Sequence, residues 1–290
     1  MKRLSLLILL GLLLVMVNAA SAQNEDGTIS VTCDSGGSFD NGVEVTIVQM
    51  RTGFNYTATA LGINGFDPVL AVLGENDEGL CTDDAPDIED FQANLPTTGE
   101  IEGQNLNSQV VFNNGQNSGM ADIRLVVGGF GNTAGEFLVI LEGMAVTDAD
   151  GIGDIFQVRI NELMIASEVN VTAYVISVRN ELDPLIFLVD GDVEQVDDQD
   201  GDAVACDDAG NANLCWGESE SLDGYFVPRA NGNLLPGFQY DAMLSLPLDE
   251  DMADSFFNFI VNSYQNTSFG DYVIAFHIAI GEVQTGGKGA

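Results

Sequence analysis

The sequence predicts an all-β protein of two tandem antiparallel β-sandwiches that follow a cleaved signal peptide. Three observations support this prediction. Short segments alternate apolar and polar residues, clusters of Gly, Asn and Asp separate these segments, and one set of motifs occurs twice in the same order. After the N-terminus no segment shows the helical period of 3.6 residues, so the crossover helices of a parallel α/β fold are not predicted.

The N-terminus has the three parts of a secretion signal. Lys2 and Arg3 form the basic region, residues 4–17 form an uncharged apolar run, and residues 20–22 (ASA) form a small-x-small cleavage motif. The apolar run is shorter than the roughly 20 residues that a membrane-spanning helix needs. We therefore predict that residues 1–22 are removed on export, that the protein is secreted or associated with the cell surface, and that it does not insert into a membrane.

The composition argues against several classes of partner. The chain has 8 Lys+Arg against 45 Asp+Glu, a formal net charge of −37, which repels nucleic acid and anionic lipid. A hydrophobic fraction of 46% with only 18% charged residues indicates folded domains and not a disordered acidic chain. The sequence leaves the oligomeric state open.

The internal repeat consists of five motifs that recur in the same order. The matching segments are 54–60 and 169–175, 66–74 and 182–190, 81–85 and 206–209, 120–122 and 252–254, and 125–140 and 259–275. The chain is therefore predicted to contain two copies of one module, at residues 27–147 and 152–284, with a disordered tail at 285–290. The second copy is longer because of an insertion around residues 192–236.

The order of the motifs resembles that of a known family. The motifs are Gly153-Asp-Ile-Phe156, Asp67-Pro68 with Asp183-Pro184, Asp83-Asp84 with Asp207-Asp208, and Gly135-Glu-Phe137 with Gly270-Asp-Tyr272. Together they resemble the bacterial pre-peptidase C-terminal domain, whose relatives include the collagen-binding domains of secreted collagenases. The resemblance covers both repeats and implies jelly-roll-like sandwiches, no catalysis, substrate or matrix binding, and calcium in some members. The first copy departs from the pattern, since Gly42-Val-Glu-Val45 replaces the opening motif, and no peptidase domain precedes the repeats.

Acidic residues in the repeated motifs are candidate calcium ligands. They are Asp67, Asp83 and Asp84 in the first copy, and Asp183, Asp207 and Asp208 in the second. Ca²⁺ takes six to eight oxygen ligands, so carboxylates in neighbouring loops can hold it. The alternative is that these side chains accept hydrogen bonds from backbone amides in turns.

A denser acidic segment lies in the insertion of the second copy. Asp198, Asp200 and Asp202 alternate around Gly201, as in part of a calcium loop, but the glutamate at the twelfth position of an EF-hand is missing. The linker at residues 148–154 has a similar composition. Clustered carboxylates repel one another and a divalent cation relieves that repulsion, so calcium is the one cofactor that the sequence suggests.

The four cysteines are an even number in an oxidising compartment, which favours two disulfides. Three pairings are possible. Cys206 and Cys215 bracket a short loop that can close locally, in which case Cys33 pairs with Cys81.

Two aromatic residues of the insertion, Trp216 and Tyr225, are candidate ligand-binding residues, because an exposed aromatic ring can stack on a sugar. The alternative is that Trp216 shields the adjacent disulfide. His277 alternates with Phe276 and Ile278 in the last strand, so it is predicted to face solvent.

No catalytic residue is predicted, since the chain has one histidine and no nucleophile elbow. The sequence therefore favours a secreted, non-enzymatic binding or adhesion protein that recognises an extracellular polysaccharide or protein. One alternative is a structural, envelope-associated calcium-binding protein. Another is a secreted hydrolase, because a chain rich in acids has room for a carboxylate pair.

Overall fold

The computed structural model describes residues 19–24, 27–34, 37–85, 91–102, 106–113, 121–147, 153–191, 204–211, 213–215 and 220–282. The described residues of the first half contain eleven strands, which are β1 (Ala19–Gln23), β2 (Ile29–Cys33), β3 (Phe39–Met50), β4 (Asn55–Gly62), β5 (Pro68–Leu73), β6 (Glu78–Thr82), β7 (Ala93–Leu95), β8 (Gly99–Ile101), β9 (Ser108–Asn113), β10 (Ala121–Gly129) and β11 (Gly135–Val146). A 3₁₀ turn, Phe130–Asn132, lies between the last two.

The described residues of the second half contain nine strands, which are β12 (Asp154–Arg159), β13 (Val171–Ser177), β14 (Pro184–Asp190), β15 (Val204–Cys206), β16 (Phe226–Pro228), β17 (Leu234–Pro236), β18 (Ala242–Leu246), β19 (Phe256–Ser263) and β20 (Gly270–Ile280). They also contain one short helix, α1 (Glu162–Ala166), and the 3₁₀ turns Glu250–Met252 and Tyr264–Asn266. No helix among the described residues has the length and apolar character needed to span a membrane.

The strands form three antiparallel sheets, which confirms the predicted all-β sandwich. Sheet A has the order β10-β5-β6-β1-β2-β3-β12-β19-β14-β15, and sheet B has the order β18-β13-β20-β11-β4-β9. Sheet C has the order β17-β16-β7-β8. The alternation seen in the sequence explains these sheets, since successive side chains of a strand point to opposite faces and one face of each must be covered.

Strands of the two repeats pair directly with each other in both large sheets. In sheet A, β3 pairs with β12, and in sheet B, β11 pairs with β20 over nearly their whole length. One hydrophobic core runs through both repeats as a result. The domain boundaries stay a prediction, and the structure adds that the two copies share their sheets.

Aromatic side chains fill the space between sheets A and B at the centre of the second repeat. The ring of Phe276, on β20 of sheet B, lies 5.8 Å from the ring of Phe156 and 5.6 Å from the ring of Phe259, both on sheet A. All three side chains are buried. Phe276 therefore marks the face of sheet B that packs on sheet A.

Sheet C covers the opposite face of sheet B and makes a third layer. It combines strands of both repeats, because Phe226 of the insertion pairs with Asn94 of the first copy. His277, which points away from Phe276, lies under this layer and is only 3% exposed. The prediction that His277 faces solvent is therefore wrong, since alternation tells which face a residue is on and not whether a further layer covers that face.

The two disulfides are Cys33–Cys81 and Cys206–Cys215. This is the pairing in which the short loop closes locally, and it is compatible with an oxidising compartment. Cys33–Cys81 joins β2 to β6, and β1 runs between these strands in the same sheet.

Strand β1 includes residues 20–22, which the sequence assigns to the signal peptide, while residues 1–18 lie outside the described part of the chain. The strand pairs with β2 from Ala19 to Gln23 and with β6 at its first two residues. The amide of Ser21 donates to the carbonyl of Asp77 at 3.1 Å. Because β10 also pairs with β3, β1 completes a closed ring of six strands around a second, smaller core.

We expect a chain that begins at Ala20 to be more stable than one that begins at Gln23. The shorter chain loses several backbone hydrogen bonds and opens the ring, and at about 1 kcal/mol per bond the loss is about 2–3 kcal/mol. Urea unfolding of the two purified chains measures this difference. Equal midpoints with equal slopes would contradict a stabilising role for β1.

Candidate functional site

Two hairpins in sheet A, one in each repeat, carry the repeated acidic residues. In the first repeat Asp67 immediately precedes β5, while Asp83 and Asp84 immediately follow β6. Because these strands are antiparallel and Leu70 pairs with Thr82, the start of one strand and the end of the other lie at the same edge. The three side chains thereby meet, and we call them acidic cluster 1.

The second repeat builds the same arrangement in the same register. Asp183 precedes β14, and Asp207 and Asp208 follow β15. Ile186 pairs with Cys206, as Leu70 pairs with Thr82 in the first repeat. Asp183 precedes Ile186 by the same number of residues as Asp67 precedes Leu70, and Asp207 directly follows Cys206 as Asp83 directly follows Thr82. We call Asp183, Asp207 and Asp208 acidic cluster 2.

The spacing of the carboxylates in each cluster suits one cation. Two oxygens that bind the same Ca²⁺ at about 2.3–2.6 Å lie at most about 5 Å apart. In each cluster one oxygen from each of the three side chains lies within 4.8 Å of the others. Three carboxylates leave coordination positions for backbone carbonyls and water, which Ca²⁺ commonly takes.

Buried carboxylate oxygens without hydrogen-bond partners are concentrated in these clusters. Among the described residues, the Oδ1 atoms of Asp67, Asp83, Asp183 and Asp207 are all buried and accept no hydrogen bond. Asp207 as a whole is only 4% exposed. An unpaired buried charge is costly, so the turn-capping alternative does not account for these four oxygens.

The electrostatics of the clusters follow from this burial. Burial, with the charges of Asp83 and Asp84, raises the pKa of Asp67 to about 6. Burial, with the charges of Asp183 and Asp208, raises the pKa of Asp207 to about 7. The ionised forms are therefore disfavoured in the protein alone, and a divalent cation between the oxygens would reverse that preference.

Asn107 and Asp241 support the two clusters from equivalent positions, and sequence reasoning missed both. The Oδ1 atom of Asn107 accepts the amide of Gly62 at 3.0 Å, and the Oδ1 atom of Asp241 accepts the amide of Ser177 at 2.9 Å. Their backbone carbonyls accept the amide of the residue that follows each Asp-Asp pair. The sequence feature that could have indicated these residues is an Asn or Asp directly before β9 and β18, which are the two edge strands of sheet B.

The other predicted calcium ligands are not placed by the structure. Asp198, Asp200 and Asp202 lie outside the described residues, as does most of the linker at 148–154. The last linker residue, Asp154, accepts a hydrogen bond from the hydroxyl of Tyr272 at 2.6 Å.

The predicted ligand-binding aromatics have no established role. Trp216 lies outside the described residues. Tyr225 directly precedes β16, packs partly buried against the core, and donates its hydroxyl to Glu220 at 3.1 Å. Part of its ring is therefore already engaged within the protein.

His277 takes part in a hydrogen-bonded chain beneath sheet C. Its Nδ1 atom lies 2.8 Å from the hydroxyl of Thr97, which in turn lies 2.6 Å from the hydroxyl of Tyr174. Its Nε2 atom lies 3.2 Å from a carboxylate oxygen of Glu136. Burial lowers the pKa of His277 despite Glu136, so the imidazole is largely neutral at pH 7 and ties the β7–β8 turn to sheet B.

Two clefts adjoin at Thr133 and Ala134, and Asp67 of acidic cluster 1 lines the first of them. The first has a volume of 380 Å³ and is lined by residues 63–67, Phe130 and residues 133–136. The second has a volume of 860 Å³ and is lined mainly by polar residues, which are Asn24, Thr28, Ser30, Asp40, Asn41, Asn132, Thr133 and Glu282. Both volumes lie within the range of about 300–1,000 Å³ that is typical of small-molecule sites.

Comparison with known proteins adds little. No protein-family model matches the chain, and no curated protein matches it. One solved structure, of tandem CBM51 modules from a family 98 glycoside hydrolase of Streptococcus pneumoniae, is 9% identical, with 91% of this chain and 88% of that chain covered and a TM-score of 0.22. A score this low supports no argument, and the resemblance to the pre-peptidase C-terminal domain stays a prediction.

Proposed function

We propose that this is a secreted, non-catalytic binding protein in which each of two fused β-sandwich repeats holds one Ca²⁺ at its acidic cluster. The observation that carries the calcium proposal is the set of four buried carboxylate oxygens without partners, two in each cluster. They occur at matching positions of a repeated hairpin, so one explanation accounts for both clusters.

Calcium fits the clusters better than magnesium on chemical grounds. Mg²⁺ demands near-octahedral geometry, retains several waters and is held by few protein ligands. Each cluster instead offers three carboxylates in a partly buried setting. Ca²⁺ accepts such irregular oxygen sets and gives up water more readily.

The non-catalytic part of the proposal rests on the chemistry of the side chains. The only histidine is buried and held between Thr97 and Glu136. Among the described residues, neither acidic cluster includes a histidine. A purely structural calcium protein is the nearest alternative, and it differs from our proposal in having no extracellular ligand.

Calcium binding is tested by titrating chelator-treated protein in a calorimeter and by following its thermal unfolding. We expect two bound ions per chain and a melting temperature that rises with Ca²⁺ and falls back when chelator is added. At a hundredfold excess over Kd each site stabilises by about 2.7 kcal/mol. For a chain of this size this corresponds to roughly 5 °C per site.

Paired variants locate the ions. Asp83→Asn with Asp84→Asn should remove one ion, and Asp207→Asn with Asp208→Asn should remove the other. Asp249→Asn with Asp251→Asn, two exposed residues outside both clusters, is the matched control and should leave both ions bound. No calcium-dependent heat and no thermal shift would overturn the proposal, and loss of binding in the control alone would contradict the assignment to the clusters.

A further inference from the structure

We propose that the two adjoining clefts form one ligand groove and that this groove binds a neutral carbohydrate chain. Thr133 and Ala134 line both clefts, so the two spaces adjoin at these residues, and Leu163, Gly281 and Glu282 of the second repeat complete the second cleft. We call the combined space the loop groove. Tyr225, which the sequence suggested as a ligand contact, lines neither cleft.

The chemistry of the loop groove matches an amphipathic ring. In the first cleft Phe130 presents a ring that is 47% exposed, beside the buried side chains of Ile63 and Phe66. A pyranose has an apolar C–H face that packs on an aromatic ring, while its hydroxyls project around the edge. The exposed aromatic ring lies at one end of the groove, where a single sugar ring can stack.

The second cleft supplies the groups that hydroxyls need. It is lined by three exposed polar side chains, the amide of Asn132 and the carboxylates of Asp40 and Glu282. The NH₂ group of Asn132 can donate hydrogen bonds and the carboxylates can accept them, so together they can satisfy hydroxyls in either role. A few polar groups beside an apolar wall is the usual composition of a small-molecule site.

The charge of the groove restricts the ligand class. Among the described residues that line the two clefts there is no lysine or arginine, whereas Asp40, Asp67, Glu136 and Glu282 are acidic. The chain as a whole carries a formal charge of −37. Sulfated or uronic-acid polysaccharides would therefore be repelled. A basic peptide suits the charge, but it does not need the amide and hydroxyl groups or the isolated aromatic ring.

The walls of the groove are held in place within the protein. The side chain of Asn132 accepts the amide of Asp40 at 2.7 Å. The amide group of Asn41 donates to the carbonyl of Thr133 at 2.9 Å and its oxygen accepts the amide of Gly129 at 3.2 Å. A groove whose loops are already fixed loses little conformational entropy when a ligand binds.

The groove is also connected to acidic cluster 1, because Asp67 belongs to the cluster and lines the first cleft. This connection rests on the proposed function, since it requires Ca²⁺ at the cluster. An ion held by Asp67, Asp83 and Asp84 would fix the loop before β5, which forms one wall. Carbohydrate binding is therefore expected to weaken when this ion is removed.

The test is calorimetric titration of the full mature chain with neutral hexasaccharides of glucose, xylose, mannose and N-acetylglucosamine in the presence of Ca²⁺. We expect saturable binding of at least one of them. Phe130→Ala removes the stacking ring and Ala134→Trp fills the point where the clefts meet, and each should weaken binding at least tenfold. Phe269→Ala is the matched control, since Phe269 is 38% exposed and lies outside both clefts.

Two double variants, one at each acidic cluster, test whether carbohydrate binding depends on calcium at acidic cluster 1. Asp83→Asn with Asp84→Asn should weaken carbohydrate binding, whereas Asp207→Asn with Asp208→Asn should leave it unchanged. Two bound Ca²⁺ ions without binding of any hexasaccharide would overturn the groove proposal and leave the calcium proposal standing. Carbohydrate binding that persists in chelator and is lost in Ala134→Trp would support the groove and contradict its calcium dependence. A third outcome is that no carbohydrate binds, while a lysine-rich peptide binds and Ala134→Trp abolishes that binding. This result would overturn the assignment of a neutral carbohydrate as the ligand.

Discussion

The calcium-free protein is expected to become more stable as the pH falls from about 7 to about 4. The reason is a set of aspartates whose pKa is raised by burial. Besides Asp67 at about 6 and Asp207 at about 7, burial raises the pKa of Asp241 to about 7, although the amides of Ser177 and Phe238 oppose this effect. Asp241 is only 1% exposed.

The direction of the effect follows from the protons bound in each state. An unfolded aspartate has a pKa of 3.8, so between about pH 4 and about pH 7 the folded state binds more protons than the unfolded state. These groups therefore contribute stability that is fully present below the unfolded pKa and is lost as the pH rises through the folded pKa. For Asp241 alone, the rise of the pKa from 3.8 to about 7 corresponds to on the order of 4 kcal/mol of unfolding free energy, which is present at low pH and lost as the pH rises past about 7.

Urea unfolding across this pH range, in the presence of chelator, measures the effect. Adding Ca²⁺ should raise stability at about pH 7 and have little effect at about pH 4, because ions bind only the ionised clusters. Asp241→Asn should make the free energy of unfolding depend less on pH, whereas Asp249→Asn, which changes an exposed residue, should leave that dependence unchanged. A free energy of unfolding that rises from pH 4 to pH 7 without calcium would contradict this account.

Phe276→Ala is expected to lower the free energy of unfolding by about 3–5 kcal/mol. The ring lies between Phe156 and Phe259 at the interface of sheets A and B and is 2% exposed. Its removal forfeits the burial of a large apolar side chain and leaves a cavity that two rigid sheets cannot close. Both neighbouring rings also lose their edge contacts.

Two further variants separate the core effect from a general effect of removing an aromatic ring. Phe276→Leu retains most of the volume and should cost clearly less than the alanine change. Phe130→Ala removes an exposed ring and should change stability by no more than about 0.5 kcal/mol. Denaturant unfolding of all three variants measures the differences, and a loss below about 1 kcal/mol in Phe276→Ala would contradict the packing described here.

Much of the acidic site could be anticipated from the repeat. Asp67 and Asp183 occupy matching motifs, as do the two Asp-Asp pairs, so the nine aspartates that the sequence suggested include the six that meet in the two clusters. Whether three of them meet depends on the register of a hairpin, and periodicity does not set register. The pairing of Leu70 with Thr82, and of Ile186 with Cys206, brings them together.

The supporting residues and the third layer could not be found in this way. Asn107 and Asp241 lie in segments of the two repeats that share little sequence, so the alignment does not match them. His277 was assigned to the correct face of its strand, but sheet C, built from strands of both repeats, buries that face. Contacts between segments far apart in the chain leave no local pattern.

The sequence by itself determined the all-β class, the twofold repeat, the strand faces and the aspartates of the two clusters, because alternation and motif order are local properties. Tertiary structure alone decided that both repeats share two sheets through β3–β12 and β11–β20, that the cysteines pair as Cys33–Cys81 and Cys206–Cys215, and that a cleft forms beside Asp67. These features depend on which strand edges meet. Edge pairing is set by the packing of the whole chain, since every strand presents similar backbone donors and acceptors to its neighbours.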